Sequence, residues 1–167
     1  MSTAPNVNNY SILRGTFTFA PSTGSPIILG DVSNCTYTPT VTKLDHFSHQ
    51  AGIRVKDRSV VTEVGASMKL TMDEINEHNL AMYLLGDTST SGTLGGLTNP
   101  LLSGTLTMTG TNAVGSKLTF TGKVNLIPAG DLIMVQDTAA WAGLPISAEV
   151  TLDQGSYGRW TVTDQAP

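Results

Sequence analysis

Three polar side chains near residue 46 are the first candidates for a metal site, namely Asp45, His46 and His49. Carboxylate and imidazole groups are ordinary zinc ligands, and a site needs several of them on the same side of an element. Residues 46 and 49 are separated by an odd number of positions, so in an extended strand their side chains point to opposite faces. The spacing therefore predicts no metal site here.

Motifs for nucleophilic catalysis and for phosphate binding are also missing. The sequence contains no G-x-S-x-G elbow, no G-x-x-x-x-G-K-[ST] loop and no G-x-G-x-x-G turn. The single cysteine, Cys35, is flanked by strand-forming residues, and we interpret it as a small buried hydrophobic residue. We therefore predict no catalytic residue and no cofactor, and we do not expect an enzyme.

The main concentration of charge is the segment 53–58, which contains three of the nine basic residues. In a regular strand Arg54, Lys56 and Arg58 would share a face. Two interpretations stay open at this point. The segment is either a solvated hairpin edge that charge protects from unwanted pairing, or a docking surface for acidic groups on a neighbour.

The composition limits the classes of function. Charged residues make up only 13% of the 167 residues, about half the share usual for a globular domain. A surface so poor in charge is often covered by neighbours. The net charge of −4 argues against a module that grips nucleic acid through its phosphates. We find no secretory signal in residues 1–9 and no apolar run long enough to cross a bilayer, so we expect a cytoplasmic protein without membrane insertion.

The elements that position these residues are mostly strands. Residues 10–20 alternate in polarity, residues 27–47 read as one long bent strand, and residues 53–72 read as its return partner. The pattern Thr71-Met72-Asp73-Glu74 has the form of a capping box and predicts one helix from about residue 73 to 85, which Gly86 would end. A flexible connector follows at 86–100, and further strands are expected within residues 101–162, including a short apolar strand at 132–135.

Four short segments, taken in order, resemble the tail tube (major tail) proteins of long-tailed bacteriophages over residues 10–86. The segments are Leu29-Gly30-Asp31-Val32, Asp45-His46-Phe47-Ser48 followed by Gly52 and Asp57, residues 67–74, and Asn79-Leu80 before Leu85-Gly86. The resemblance implies a mostly β sandwich or barrel-like domain at 10–162 with one flanking helix. It also implies a structural protein of the virion whose hexameric rings stack into a tube for DNA delivery.

The resemblance further implies where the copies meet. The hairpin would reach to the adjacent ring through Asp45, His46, Ser48, Gly52, Arg54, Lys56, Asp57 and Arg58. Residues 1–9, a predicted mobile arm, and the tail at 163–167 would order on assembly. The implied partners are further copies, the tape measure protein, and the tail tip and terminator proteins. DNA would pass through the tube without specific binding, and assembly would take place in the bacterial cytoplasm.

Two other hypotheses about the function remain. One is an isolated β-sandwich module that binds carbohydrate or mediates adhesion, although only 6% of the residues are aromatic and Trp141 and Trp160 form no evident platform. The other is an inner-tube protein of a contractile tail or of a type VI-like secretion system.

Overall fold

The computed structural model of this chain describes residues 10–50, 52–90, 93–135, 137 and 140–163. The predicted arm at 1–9 and residues 164–167 of the predicted tail lie outside the described residues. The described elements are, in chain order, β1 (Gly15–Pro21), β2 (Ile27–Ile28), β3 (Val32–Ser48), β4 (Val55–Met72), α1 (Glu77–Tyr83), β5 (Asp87–Thr90), β6 (Thr93–Gly95), β7 (Leu102–Gly110), β8 (Lys117–Pro128), β9 (Leu144–Val150) and β10 (Arg159–Thr163).

Eight of these strands form one antiparallel sheet in the order β2-β1-β7-β8-β9-β4-β3, with β10 also paired to β8. The mostly β fold with one helix is therefore confirmed. The sheet is open, since β2 and β3 lie at its two ends and do not pair with each other within the described residues. Within the described residues, no helix is long and apolar enough to cross a membrane.

The core lies between the two halves of this sheet. In β4 the predicted alternation is confirmed, because Met68, Leu70 and Met72 are buried. They share one hydrophobic cluster with Phe19 from β1 and Phe120 from β8, which lie in the other half of the sheet. The sheet therefore curls so that both halves cover a single core.

The helix is shorter than predicted, and its cap is a different residue. Thr71 and Met72 are still paired with β9, so the strand continues through the segment expected to cap the helix. The N-cap is Asn76, whose side chain accepts a 2.9 Å hydrogen bond from the backbone N–H of Asn79. At the other end the backbone N–H of Gly86 donates to Ala81, so the predicted end of the helix near Gly86 is confirmed.

Two other segments differ from their predictions. The connector at 86–100 contains the short hairpin β5–β6, and its chain is tied to the helix end by a 2.8 Å hydrogen bond from the Leu97 N–H to the Leu84 carbonyl. The apolar strand predicted at 132–135 is wrong. These residues form no strand, and Met134 and Val135 are exposed, since none of the described strands pairs with them.

Candidate interaction surface

All eight residues predicted to contact a neighbour lie in the outer part of the β3–β4 hairpin or at its tip. β9 pairs with β4 only over residues 66–72, so β3 and β4 continue beyond the rest of the sheet as a pair of strands. We call residues 41–48 and 55–64 the ribbon, and residues 49–54 its tip. At about 3.3 Å per residue, the eight β3 residues of the ribbon extend roughly 25 Å.

The ribbon has no cover from the remainder of the described chain. Within the described residues no third strand pairs with it, so both of its edges carry free backbone hydrogen-bonding groups. Every residue at 41–46 and 55–64 is exposed. An isolated two-stranded hairpin is marginally stable at best in water, and free strand edges invite pairing with other chains. The ribbon therefore has the properties of a surface that a partner completes.

Two close polar contacts link the strands of the ribbon. Lys56 Nζ lies 2.8 Å from Asp45 Oδ2, and His46 Nδ1 lies 2.6 Å from Asp57 Oδ1. Hydrogen bonds from Lys56 and Ser59 hold the pKa of the Asp45 carboxyl below its ordinary value. The predicted polar residues thus bind to each other across the hairpin and help to fix its register.

The predicted common face of the three basic residues is wrong. β4 has one extra residue in its pairing with β3 at this point, because His46 lies opposite Arg58 whereas Phe47 lies opposite Lys56. His46 and Phe47 are neighbours in β3, so their side chains point to opposite faces, and each partner in β4 shares the face of the residue it pairs with. This β-bulge therefore puts Lys56 and Arg58 on opposite faces. Arg54 precedes the strand, and its guanidinium carbon lies 4.4 Å from the centre of the Phe47 ring.

The tip is where the chain reverses between the two strands. Gly52 has a φ of 69°, a conformation that favours glycine over residues with a Cβ atom. Ser48 Oγ accepts a 3.4 Å hydrogen bond from the backbone N–H of Gln50. Ser48 and Gly52 therefore shape the turn. The charged residues of the prediction lie in the two strands, except Arg54, which directly precedes β4.

Aliphatic side chains on the ribbon were missed as interaction residues in the sequence. Six of them are exposed: Val41, Leu44, Val55, Val60, Val61 and Val64. Their β-branched or apolar character indicated strands, but burial in the core is the usual expectation for such residues. A signal was present at Val60-Val61, because two consecutive apolar residues cannot both face one core.

A cleft of about 810 Å³ lies between the start of β1 and the core-facing side of β3. Apolar side chains line much of it, among them Phe17, Met68 and Trp160. Cys35 also lines the cleft, and burial raises the pKa of its thiol to about 11, which keeps it protonated at neutral pH. No group of three His, Cys, Asp or Glu side chains suited to a metal ion occurs in the described part of the chain.

Comparison with known proteins places the chain in a family without assigning it an activity. Residues 10–96, just over half of the chain, match the family described as "Protein of unknown function UCP028589", and the chain belongs to that family. The matched region includes β1 to β4, the ribbon and α1. No curated protein matches the sequence.

Proposed function

We propose that this member of the family is a structural subunit that assembles with copies of itself into hexameric rings, which stack into the tail tube of a long-tailed bacteriophage. The observation that carries the proposal is the ribbon, with two free edges and six exposed aliphatic side chains. Six copies per ring and the passage of DNA follow from the resemblance of the sequence to tail tube proteins. The tape measure, tip and terminator proteins are its further proposed partners.

The charge distribution supports contact between identical copies. The segment 41–64 contains four of the nine Lys and Arg residues and three of the 13 Asp and Glu residues. The rest of the chain therefore carries five basic residues against ten acidic ones. The ribbon and its tip together therefore carry a net charge of +1, and this segment and the acidic remainder attract each other when they come from different copies. A net-acidic subunit also avoids holding DNA that passes through the tube.

The direct test is the assembly state of the purified protein. Size-exclusion chromatography and negative-stain electron microscopy over a concentration series should show rings or tubes, with a tail tip complex added as an initiator in a parallel series. Obligate interfaces of this kind commonly bury about 2,000 Å² or more, so the assemblies should persist on dilution. A compact monomer at all concentrations, with and without the initiator, would contradict the proposal.

The role of the basic residues is tested by the double variant Arg54→Glu with Arg58→Glu. We expect rings to form and tubes to be short or absent, because the variant reverses the charge that meets the acidic neighbour. The matched control is Lys69→Glu with Lys117→Glu, which makes the same change in net charge at exposed positions away from the ribbon. Normal tubes from the ribbon variant would refute the assignment of these residues.

A second candidate function is an isolated binding module. The observation in its favour is the cleft beside β3, which is lined by Tyr37 and Trp160 as well as by aliphatic side chains. A cleft of about 810 Å³ is within the range of small-molecule sites. The same chromatography distinguishes the two functions, since a binding module is expected to remain a monomer at every concentration.

A further inference from the structure

Each face of the ribbon extends a different surface of the main sheet. Residues that pair across two strands have their side chains on the same face of the sheet. Tyr37 pairs with the buried Met68, so the side chains at positions 37, 39 and 41 of β3 lie on the face that covers the core. We call this side of the ribbon its core face. The opposite side continues the outward surface of the sheet, and we call it the outer face.

Each face carries three exposed aliphatic side chains. The core face has Val41 opposite Val64, and Val61 opposite Lys43. A second bulge at Thr62 brings Val61 and Val64, three residues apart, onto this one face. The outer face has Leu44 opposite Val60, and Val55 opposite Ser48. Both sides of the ribbon therefore carry exposed apolar side chains among the charged ones.

Cover is lost on the core face at the point where the ribbon begins. Ala66 is buried, and Val64 on the same face is exposed. On the outer face the change is in residue type. Thr36, Thr38, Thr40 and Thr42 occupy successive β3 positions of this face, the last of them inside the ribbon, and Leu44 follows them. A strand with water on its outer side would be expected to keep polar residues there.

We propose that the ribbon lies between two further copies of this chain, with its core face against one copy and its outer face against another. This inference rests on the proposed function, and it adds that a single ribbon bridges two neighbours. An isolated strand pair is marginally stable at best in water, and exposed aliphatic side chains on both of its sides favour cover on both sides. The segment 41–64, which is the ribbon with its tip, has a net charge of +1, and the rest of the chain has five basic residues against ten acidic ones, so other copies of the chain are suitable partners by charge.

Two consecutive residues provide a matched test. Val60 and Val61 are the same residue type and are similarly exposed, at 45% and 50%, but they lie on opposite faces. We expect Val60→Glu and Val61→Glu each to prevent normal tubes, and to stop assembly at different intermediates seen by electron microscopy. The milder variants Val60→Thr and Val61→Thr keep the strand propensity, and each should raise the protein concentration needed for assembly by about tenfold.

The outcomes separate this inference from the proposed function. If wild-type protein forms tubes and only one of the two positions affects assembly, the ribbon uses one face and the inference is overturned. If neither position has an effect, it is overturned as well. A wild-type protein that stays monomeric with the initiator present would overturn both proposals. Circular dichroism of each variant should match that of the wild type, because neither valine belongs to the core.

Discussion

The side-chain amide of Asn79 donates a 2.9 Å hydrogen bond to the carbonyl oxygen of Leu29, 50 residues earlier in the chain. The same amide donates to the carbonyl oxygen of Glu74 at 2.9 Å. Asn79 is fully buried, so these bonds replace water at the joint between the helix and the turn before β3. The position of the long hairpin relative to the helix is thereby fixed near the base of β3.

Replacing Asn79 should destabilise this joint. In Asn79→Ala the carbonyl groups of Leu29 and Glu74 lose their shared donor, and the Leu29 carbonyl remains buried. Leaving a buried group unsatisfied typically costs about 1–3 kcal/mol, so we expect the free energy of unfolding to fall by about that amount in urea titrations. Asn99→Ala, at an exposed asparagine, is the control and should change it by less than about 0.5 kcal/mol. Equal stability of the two variants would contradict the proposed role of Asn79.

The pair formed by Asp45 and Lys56 should respond to acid. The folded protein holds the pKa of Asp45 below its ordinary value, chiefly through the hydrogen bond from Lys56. The contribution of the pair is therefore present above the unfolded pKa of about 3.9 and is lost as the pH falls through the lower folded value. Carboxyl-carbon NMR titration should show a higher midpoint for Asp45 in Lys56→Ala than in the wild type.

The control for this titration is Lys123→Ala, which breaks the 3.0 Å contact between Lys123 and Asp153 in the main part of the sheet. It should leave the midpoint of Asp45 unchanged. The opposite result, an unchanged midpoint in Lys56→Ala, would show that the ion pair does not form in solution.

The two tryptophans should contribute very differently to stability. Trp160 packs against Tyr37 and Phe120, with ring centres 5.2 Å and 4.8 Å apart, whereas Trp141 is 98% exposed. Such aromatic pairs are each worth about 0.5–1.5 kcal/mol beyond their area. We expect Trp160→Ala to lower the free energy of unfolding by about 1–3 kcal/mol, and Trp141→Ala to change it by less than about 0.5 kcal/mol. Comparable losses in calorimetry would contradict the packing described for Trp160.

The thiol of Cys35 should react slowly in the folded protein. With its pKa raised to about 11 by burial, its thiolate fraction at pH 8 is on the order of a hundredfold below that of an unfolded cysteine. Ellman's reagent should therefore modify native protein at least that much more slowly than protein in urea. Cys35→Ser provides the background rate. Equal rates in the two conditions would show that the thiol is accessible and readily ionised.

Much of the fold could be predicted from local patterns. Alternation at 66–72 identified the buried face of β4, and alternation at 106–126 identified β7 and β8, because a half-buried strand repeats every two residues. The start of the helix was misplaced because Thr71-Met72-Asp73-Glu74 fits a capping box, while Thr71 and Met72 are still paired with β9. Tertiary pairing prevailed over the local signal there.

The candidate surface could be predicted only in part. The charged residues between 45 and 58 marked the hairpin, and they do lie on the ribbon and its tip. Which of them share a face could not be predicted, because a bulge changes the parity of every later position and leaves no clear signature in one sequence. The exposure of the valines was not predicted, because it depends on where β9 stops pairing with β4. The sequence of β4 alone does not show that position.

The two bulges also make the strands of the ribbon unequal in length. Between the pairs Val41–Val64 and Ser48–Val55, the ribbon spans eight residues of β3 and ten of β4. A pair of strands whose paths differ in this way must bend and twist, with the longer strand on the outside of the curve. Any surface that receives this ribbon must have a matching curvature, so a flat partner would leave gaps along its length.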